Sequence, residues 1–380
     1  MAGSFNPELL SFWMKNGLRL LITGGAGFIG SNFALRARQA FPDANVVCMD
    51  NLYRRGSELN PPRLENDGVQ FHRGDVRDAN SFPTGPFDFL VECSAEPSVL
   101  AGHGGSPDYS FQTNLVGAYH CLEKARAWGS RVIFVSTSRV YPIARLEAHP
   151  WQEEKTRFVW EDHGTNGITS RGVTEHVDMN GARSLYGFTK FAAEQLIEEY
   201  RAAYNVKAAV NRCGVVAGPW QFGKADQGVA ALWVMAHHFG WPLSYIGYGG
   251  AGKQVRDFLH VEDLCDLLVE QINQFDRWEG WLGNVSGGAS NTASLCELTA
   301  LCVEITGKKI PIASVPANRP NDLRIFVADC SRLLERTSWR PRRDMRRMVQ
   351  DISGWVNRHA AELKHLWPRG RPLLSSRGRK

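Results

Sequence analysis

The sequence predicts an α/β protein: a doubly wound parallel sheet with a smaller mixed α/β lobe toward the C-terminus. Three observations predict it. Short apolar runs alternate with helical patterns through the first half of the chain, which calls for helices on both faces of a parallel sheet. A glycine-rich turn, Thr23-Gly24-Gly25-Ala26-Gly27-Phe28-Ile29-Gly30, joins the first run to the first helix. Tyr186 and Lys190 stand four apart on a later helix, hence on one face and one turn from each other.

Leu18 to Ile22 reads as a short buried strand. The glycine turn follows, then a helix through about Gln39. Val46 to Met49 is a second strand and ends at Asp50. Apolar segments near 69–72, 87–92 and 131–136 continue the strands, with helical patterns near 109–128 and 185–204. From about 144 to 183 the chain is polar and carries no clear period. A connection that long inside a compact domain is usually a functional loop or a disordered one. Val206 to Asn211 is another strand. Between 214 and 256 the pattern is irregular and rich in Gly, Pro and Trp. Val261 to Gln274 reads as a helix, Trp281 to Ser286 as a returning strand, and 293–306 and 344–361 as helices of the smaller lobe. The chain so divides into an N-terminal extension (1–17), a dinucleotide-binding domain (18–213, with 257–286 returning to it), a substrate lobe (214–256 and 287–368) and a basic tail (369–380).

Of the 380 residues 43% are hydrophobic and 22% charged, an ordinary balance for a soluble protein with a sizeable core. The net charge of +5 is uneven: Arg340, Arg342, Arg343, Arg346 and Arg347 cluster late, and the tail from Arg369 has no acid. A solvated terminus accounts for the tail, and no nucleic-acid partner is expected. The acidic partner expected is a diphosphate. The eight cysteines form no Cys-x-x-Cys and mostly sit in apolar stretches, which fits a reduced cytoplasm. No metal site is expected. The first 17 residues lack the basic start and long apolar run of a signal peptide, and no apolar run approaches a membrane span.

Gly24, Gly27 and Gly30 fall at a strand-to-helix junction. One permits the tight turn, one lets the backbone approach a pyrophosphate, and one lets helix and strand pack closely, with Phe28 and Ile29 at the helix N-terminus facing the phosphates. Asp50 ends the next strand about 20 residues beyond Gly30, where a carboxylate accepts hydrogen bonds from adenosine ribose hydroxyls. Asn51 follows it. Asp50 favours NAD over NADP because it repels a 2′-phosphate; Arg54 and Arg55, close behind, keep NADP open. An ammonium beside a phenol favours the phenolate, so Tyr186 next to Lys190 is expected to exchange a proton nearer neutral pH than its free value of about 10. Cofactor turn and Tyr–Lys pair together imply a base that deprotonates a hydroxyl while hydride leaves the same carbon.

These residues resemble the extended short-chain dehydrogenase/reductase family, with its Rossmann-type fold, over about 18 to 360. The family places a Ser or Thr at a strand end four residues before a Tyr. Val135-Ser-Thr-Ser-Arg-Val-Tyr141 supplies it, which puts Thr137 beside the reacting oxygen. Gly74-Asp75-Val76 matches the adenine contact, and Asn114 a structural helix asparagine. Glu92-Cys93-Ser94-Ala95-Glu96 stands where relatives usually have His-x-Ala-Gly/Ala; Ser94 and Ala95 keep room for the cofactor, and Glu96 is unusual and placed to reach the substrate. Gln254-Val-Arg-Asp-Phe-Leu-His260 and Arg319-Pro-Asn-Asp322 resemble segments of sugar-nucleotide epimerases, making Arg256 and Arg319 diphosphate clamps.

Within the family, Asp50-Asn-Leu-Tyr-Arg-Arg-Gly56, the 144–183 insert, Asp226-Gln227-Gly228 and Phe326-Val-Ala-Asp329 resemble the CDP-tyvelose (CDP-paratose) 2-epimerase group. Arg139 is basic where that group has Lys. Val215 stands where many 4-epimerases carry Asn after the arginine, here Arg212, that ends the sixth strand. Thr137-Ser138-Arg139 lacks the Asp-Glu pair of 4,6-dehydratases and the Glu of sugar-acid decarboxylases. The resemblance thus implies an NAD-dependent epimerase of a nucleotide-diphosphate sugar, acting at C2. Its catalytic residues are Thr137, Tyr186 and Lys190, and its substrate-binding residues Glu96, Arg139, Arg212, Gln227, Arg256 and Arg319. A 4-epimerase and a net dehydrogenase or reductase remain open, as does a redox-sensing binder. By the same analogy the helices near 109–128 and 185–204 imply a homodimer.

Overall fold

The computed structural model describes residues 17–103, 105–161, 164, 167–223 and 227–366. The basic tail, nearly all of the N-terminal extension and Asp226 lie outside the described residues.

Seven parallel strands form the main sheet: β1 Arg19–Thr23, β2 Asn45–Asp50, β3 Gln70–Arg73, β4 Phe89–Glu92, β5 Arg131–Thr137, β6 Ala208–Cys213 and β7 Leu282–Val285. Their spatial order is β7-β6-β5-β4-β1-β2-β3. The order reverses at β1, so the crevice beyond the strand ends opens between β1 and β4, where doubly wound sheets bind ligands. Alternation along β1 sends Leu20 and Ile22 to one face and Leu21 to the other. Helices α1 (Phe28–Ala40), α2 (Gly117–Trp128), α3 (Leu185–Tyr204) and α4 (Val261–Asn273) cover the sheet. Phe33 and Ala34 of α1 pack with Leu264 and Leu268 of α4 on the first face. Leu122 of α2 and Ala193 and Ile197 of α3 pack on Val132, Phe134 and Val210 on the second.

Ser184 caps α3, accepting from the Gly187 amide at 3.1 Å, and Asn205 ends it in the left-handed region at φ 55°. A helical stretch before α2 widens into one π-helical segment, Gln112–Val116, of the kind often found at functional sites. It carries Asn114, whose side chain bonds the Glu96 amide at 2.8 Å and the Thr189 hydroxyl of α3 at 3.0 Å. The asparagine thereby fixes the loop after β4 against the helix that bears Tyr186.

The smaller lobe is built on a four-stranded sheet of Val215–Ala217, Val255–His260, Thr292–Ser294 and Ile325–Phe326. Helices Val229–Phe239, Leu295–Thr306 and Met345–Arg358 pack beside it. The first of these falls inside the stretch that reads as irregular. Eight consecutive residues of it, Ala230 to His237, are buried, and the first seven are apolar, so it leaves no helical period to detect.

The 144–183 insert has more order than its sequence pattern suggests. It holds two short hairpins, Trp151–Glu153 with Phe158–Trp160 and Ile168–Thr169 with Gly172–Val173. Strands of two or three residues are too short to display alternation. The insert is also tied down. Arg157 pairs with Glu297 at 2.5 Å, Glu147 with Arg324 at 3.0 Å, and Glu153 with Lys253 at 2.7 Å. Val173 bridges to Ala328, and Asn284 of β7 donates to the Val173 carbonyl at 2.8 Å. No helix among the described residues is long and apolar enough to cross a membrane.

Candidate active site

The glycine turn after β1 opens the crevice. Gly24 has φ +64°, and a Cβ there would lie 2.8 Å from the Cys93 carbonyl carbon and oxygen. A Cβ on Gly30 would lie 2.3 Å from the Gly24 carbonyl oxygen. Neither position admits a side chain without moving backbone. Gly27 caps α1 with no side-chain bond, which leaves the first-turn amides available to an anion. Asn60 holds the turn from below by donating to the Ala26 carbonyl at 2.8 Å.

A cleft runs from this turn along Gly24, Gly27, Asp50, Asn51, Gly74, Val76, Ser94, Ala95 and Glu96. Phe28 and Ile29 start α1 and pack against the core below the cleft. The Asp50 carboxylate accepts from the Leu52 amide at 2.8 Å and the Ala26 amide at 3.1 Å. Burial raises its pKa, and those amides work against the rise. Asn51 donates to Asp75 at 2.9 Å, and Arg77 pairs with Asp75 at 2.6 Å. Although burial opposes it, Arg77 and Asn51 hold the Asp75 carboxyl down at about 2. Tyr53 and Tyr109 stack at 4.0 Å in the lining of this cleft. Neither carried a role in the sequence, because their stacking joins segments more than 50 residues apart. Arg54 donates to the Gln227 side chain and to the Phe222 carbonyl, and so is committed to protein partners. The uncapped helix, the glycine cradle and the acid at the end of β2 fit a dinucleotide.

Thr137 ends β5, and its hydroxyl accepts from the Arg139 amide at 3.2 Å. Burial pushes the Tyr186 phenol up to about 12, with a hydrogen bond to Thr137 pulling the other way. This corrects the expectation that Lys190 lowers it. Lys190 does sit one turn along α3, but it is buried and its ammonium pairs with Glu92 at 3.2 Å, while lying 3.8 Å from the centre of the Phe134 ring. In the sequence Glu92 stands where relatives usually have His and carries no assigned role. The available signal was a carboxylate closing the otherwise apolar strand Phe89-Leu-Val-Glu92.

A second cavity, of about 440 Å³, lies between the main sheet and the smaller lobe. Arg139, Arg256 and Arg319 line it, with Asp322 the only acid of its lining among the described residues. Arg256 pairs with Asp322 at 2.8 Å. Burial lowers the Arg139 guanidinium to about 10, and Arg256 adds to the effect. That excess of guanidinium suits an anion with several oxygens. Gln227 also lines this cavity and donates to Glu96 at 3.3 Å, so Arg54, Gln227 and Glu96 form a bridge from the first cleft to the second.

Arg212 is the one predicted substrate residue that the structure takes out of both clefts. It is 4% exposed and grips Glu194 of α3 through Nε and Nη2, at 3.1 and 2.7 Å. Its strand register puts it opposite Ser136, whose hydroxyl also bonds Glu194, at 2.5 Å. The guanidinium is consumed inside the fold.

Three comparisons with known proteins agree with this geometry. The model of the NAD dependent epimerase/dehydratase family matches residues 20–280. CDP-paratose 2-epimerase of Salmonella typhi is 29% identical, covering 90% of this chain and 99% of its own length. A dTDP-glucose 4,6-dehydratase of Mycobacterium tuberculosis is 30% identical, covering 86% of this chain and 88% of its own. The crystal structure of Thermus thermophilus UDP-glucose 4-epimerase with NAD superposes at a TM-score of 0.69, with 25% identity over 90% of this chain and 99% of that one. With a cleft that fits the cofactor and a family model spanning most of the sheet, the chain belongs to the NAD-dependent epimerase/dehydratase family; it is an enzyme, and NAD is its cofactor.

Proposed function

We propose that this enzyme epimerises a nucleotide-diphosphate sugar, at C2 of the hexose, through a transient keto-sugar. The observation that carries the reading is the cavity lined by Arg139, Arg256 and Arg319, joined to Tyr186 through Thr137 and Arg139. The chemistry that bound NAD would supply is reversible hydride transfer at the sugar carbon. Tyr186 takes the hydroxyl proton and later gives it back to the same oxygen. Thr137 orients that oxygen, and Lys190 fixes the charge beside the phenol. Arg256 and Arg319 hold the diphosphate while the sugar ring turns, so that its other face is presented. Asp50, with Asn51, Asp75, Val76, Ser94 and Ala95, holds the adenosine end of the cofactor, and Glu96 with Gln227 bounds the sugar.

Ser138 and Arg139 follow Thr137, so no acid/base pair stands there to expel water, which favours epimerisation over dehydration. Similarity to a CDP-paratose 2-epimerase along 99% of that protein favours C2. A C4 reading draws on the likeness to UDP-glucose 4-epimerase. The test is NMR of the purified protein in D2O with CDP-, GDP-, UDP- and dTDP-hexoses and catalytic NAD. A C2 epimer without deuterium at that carbon is expected. A C4 epimer sinks the C2 assignment, and turnover only with stoichiometric NAD or NADPH makes the enzyme a net dehydrogenase or reductase.

We also read the protein as a cytoplasmic homodimer without nucleic-acid or membrane partners. All eight cysteines are free, as in a reducing compartment. Phe111, Tyr119, Phe188 and Tyr204 are exposed on and beside α2 and α3, an apolar surface suited to a second copy. Light scattering is expected to give twice the 42.4 kDa chain mass; the mass of one chain refutes the dimer.

A further inference from the structure

We propose that Glu92 is a positioning residue for the reaction: by pairing with Lys190 it sets the charge that Tyr186 feels. The inference rests on Tyr186 being the base of the proposed function. Glu92 ends β4, and Lys190 reaches it from α3, 98 residues away in sequence. Both side chains are 2% exposed, so water does not screen the pair. The second carboxylate oxygen, Oε1, has no hydrogen-bond partner among the described residues. The Phe134 ring face, 3.8 Å from Nζ, confines the ammonium from the other side.

Burial and the Thr137 hydroxyl act on the phenol as well, and so do charged and titratable groups from several elements. Cys213 on β6 faces Tyr186, and Cys93 and Cys121 lie near Glu92; burial raises all three thiols, so they stay neutral. Arg139 is cationic and faces Tyr186 from the end of β5, where Asp322 and Arg256 act on it in opposite senses. Glu194, one turn beyond Lys190, is matched by Arg212. An ammonium alone favours the phenolate; an ammonium cancelled by a carboxylate does not. Burial is the largest cause of the raised Tyr186 phenol, and Glu92 adds to the rise in the same direction.

The test is NMR titration of the phenol in protein labelled at tyrosine Cζ, the Tyr186 resonance being assigned with Tyr186→Phe. In Glu92→Gln the Tyr186 midpoint is expected to fall by about one to two units, and the acid limb of the kcat profile to move the same way. In a Lys190→Met background the same substitution is expected to leave the midpoint in place. Glu92→His, neutral above pH 7 and of similar bulk, is expected to repeat the fall and serves if the Gln variant does not fold. An unmoved midpoint overturns the proposal, as does an equal shift with and without Lys190. The titration needs no sugar substrate. A lowered midpoint with no epimerase turnover therefore counts against the proposed reaction and not against the role of Glu92.

Discussion

Tyr186→Phe is expected to lower kcat by about 10²–10⁴-fold, the usual contribution of a positioned acid/base group. The ring keeps its packing, so the melting temperature and the bound NAD are expected to stay at wild-type values. KM for the sugar nucleotide is expected to change little, because the arginines proposed to hold the diphosphate line a cavity whose lining does not include Tyr186. The pH dependence has a definite sign. Burial holds the phenol near 12, so the base form is scarce at neutral pH and its share rises with pH. Wild-type kcat/KM is therefore expected to climb through the alkaline range. The Phe variant is expected to give a flat residual rate. A variant retaining more than a tenth of wild-type kcat removes Tyr186 from the chemistry.

Glu194→Ala is expected to destabilise the fold by about 3–5 kcal/mol, the effect of leaving a buried charge alone. Glu194 and Arg212 have side-chain exposures of 0% and 4%, and two guanidinium nitrogens meet the carboxylate. The Tyr141 hydroxyl, 3.4 Å from Arg212, does not replace it. Guanidinium denaturation checks the figure. Adding Arg212→Met to Glu194→Ala is expected to recover much of the loss, since an apolar pair needs no charge compensation. A double variant no more stable than Glu194→Ala shows that packing, and not the stranded charge, sets the cost.

These cases mark what the sequence could reveal. The glycine turn, Asp50 at the end of β2 and the Tyr186–Lys190 spacing are local patterns, and they translate directly into a turn, a strand end and one helix face. Helices at Leu185–Tyr204 and Val261–Asn273 and the strand at Leu282–Val285 were equally legible, because each carries its own period or apolar run. Pairings between distant segments were not. Glu92 meets Lys190 only once β4 and α3 are packed, and Arg212 meets Glu194 only across β6 and α3. A charged residue in an apolar run announces that it has a partner and does not say which, so Arg212 reads as a ligand contact until its neighbour is seen. The 144–183 insert was opaque for another reason: its order comes from ties to the smaller lobe.

The last strand of the main sheet has a consequence for how the protein is made. The chain leaves the sheet at Cys213 and re-enters it at Leu282. While a ribosome is still making the stretch between them, β6 has β5 on one side and a bare row of amides and carbonyls on the other. Such a border is the part of a nascent domain most prone to pair with a neighbouring chain. Synthesis must run on through the smaller lobe's first strands and α4 before β7 arrives to seal it. The larger domain is thus the first begun and cannot be the first finished, and any delay in translating that interval prolongs its exposure to aggregation.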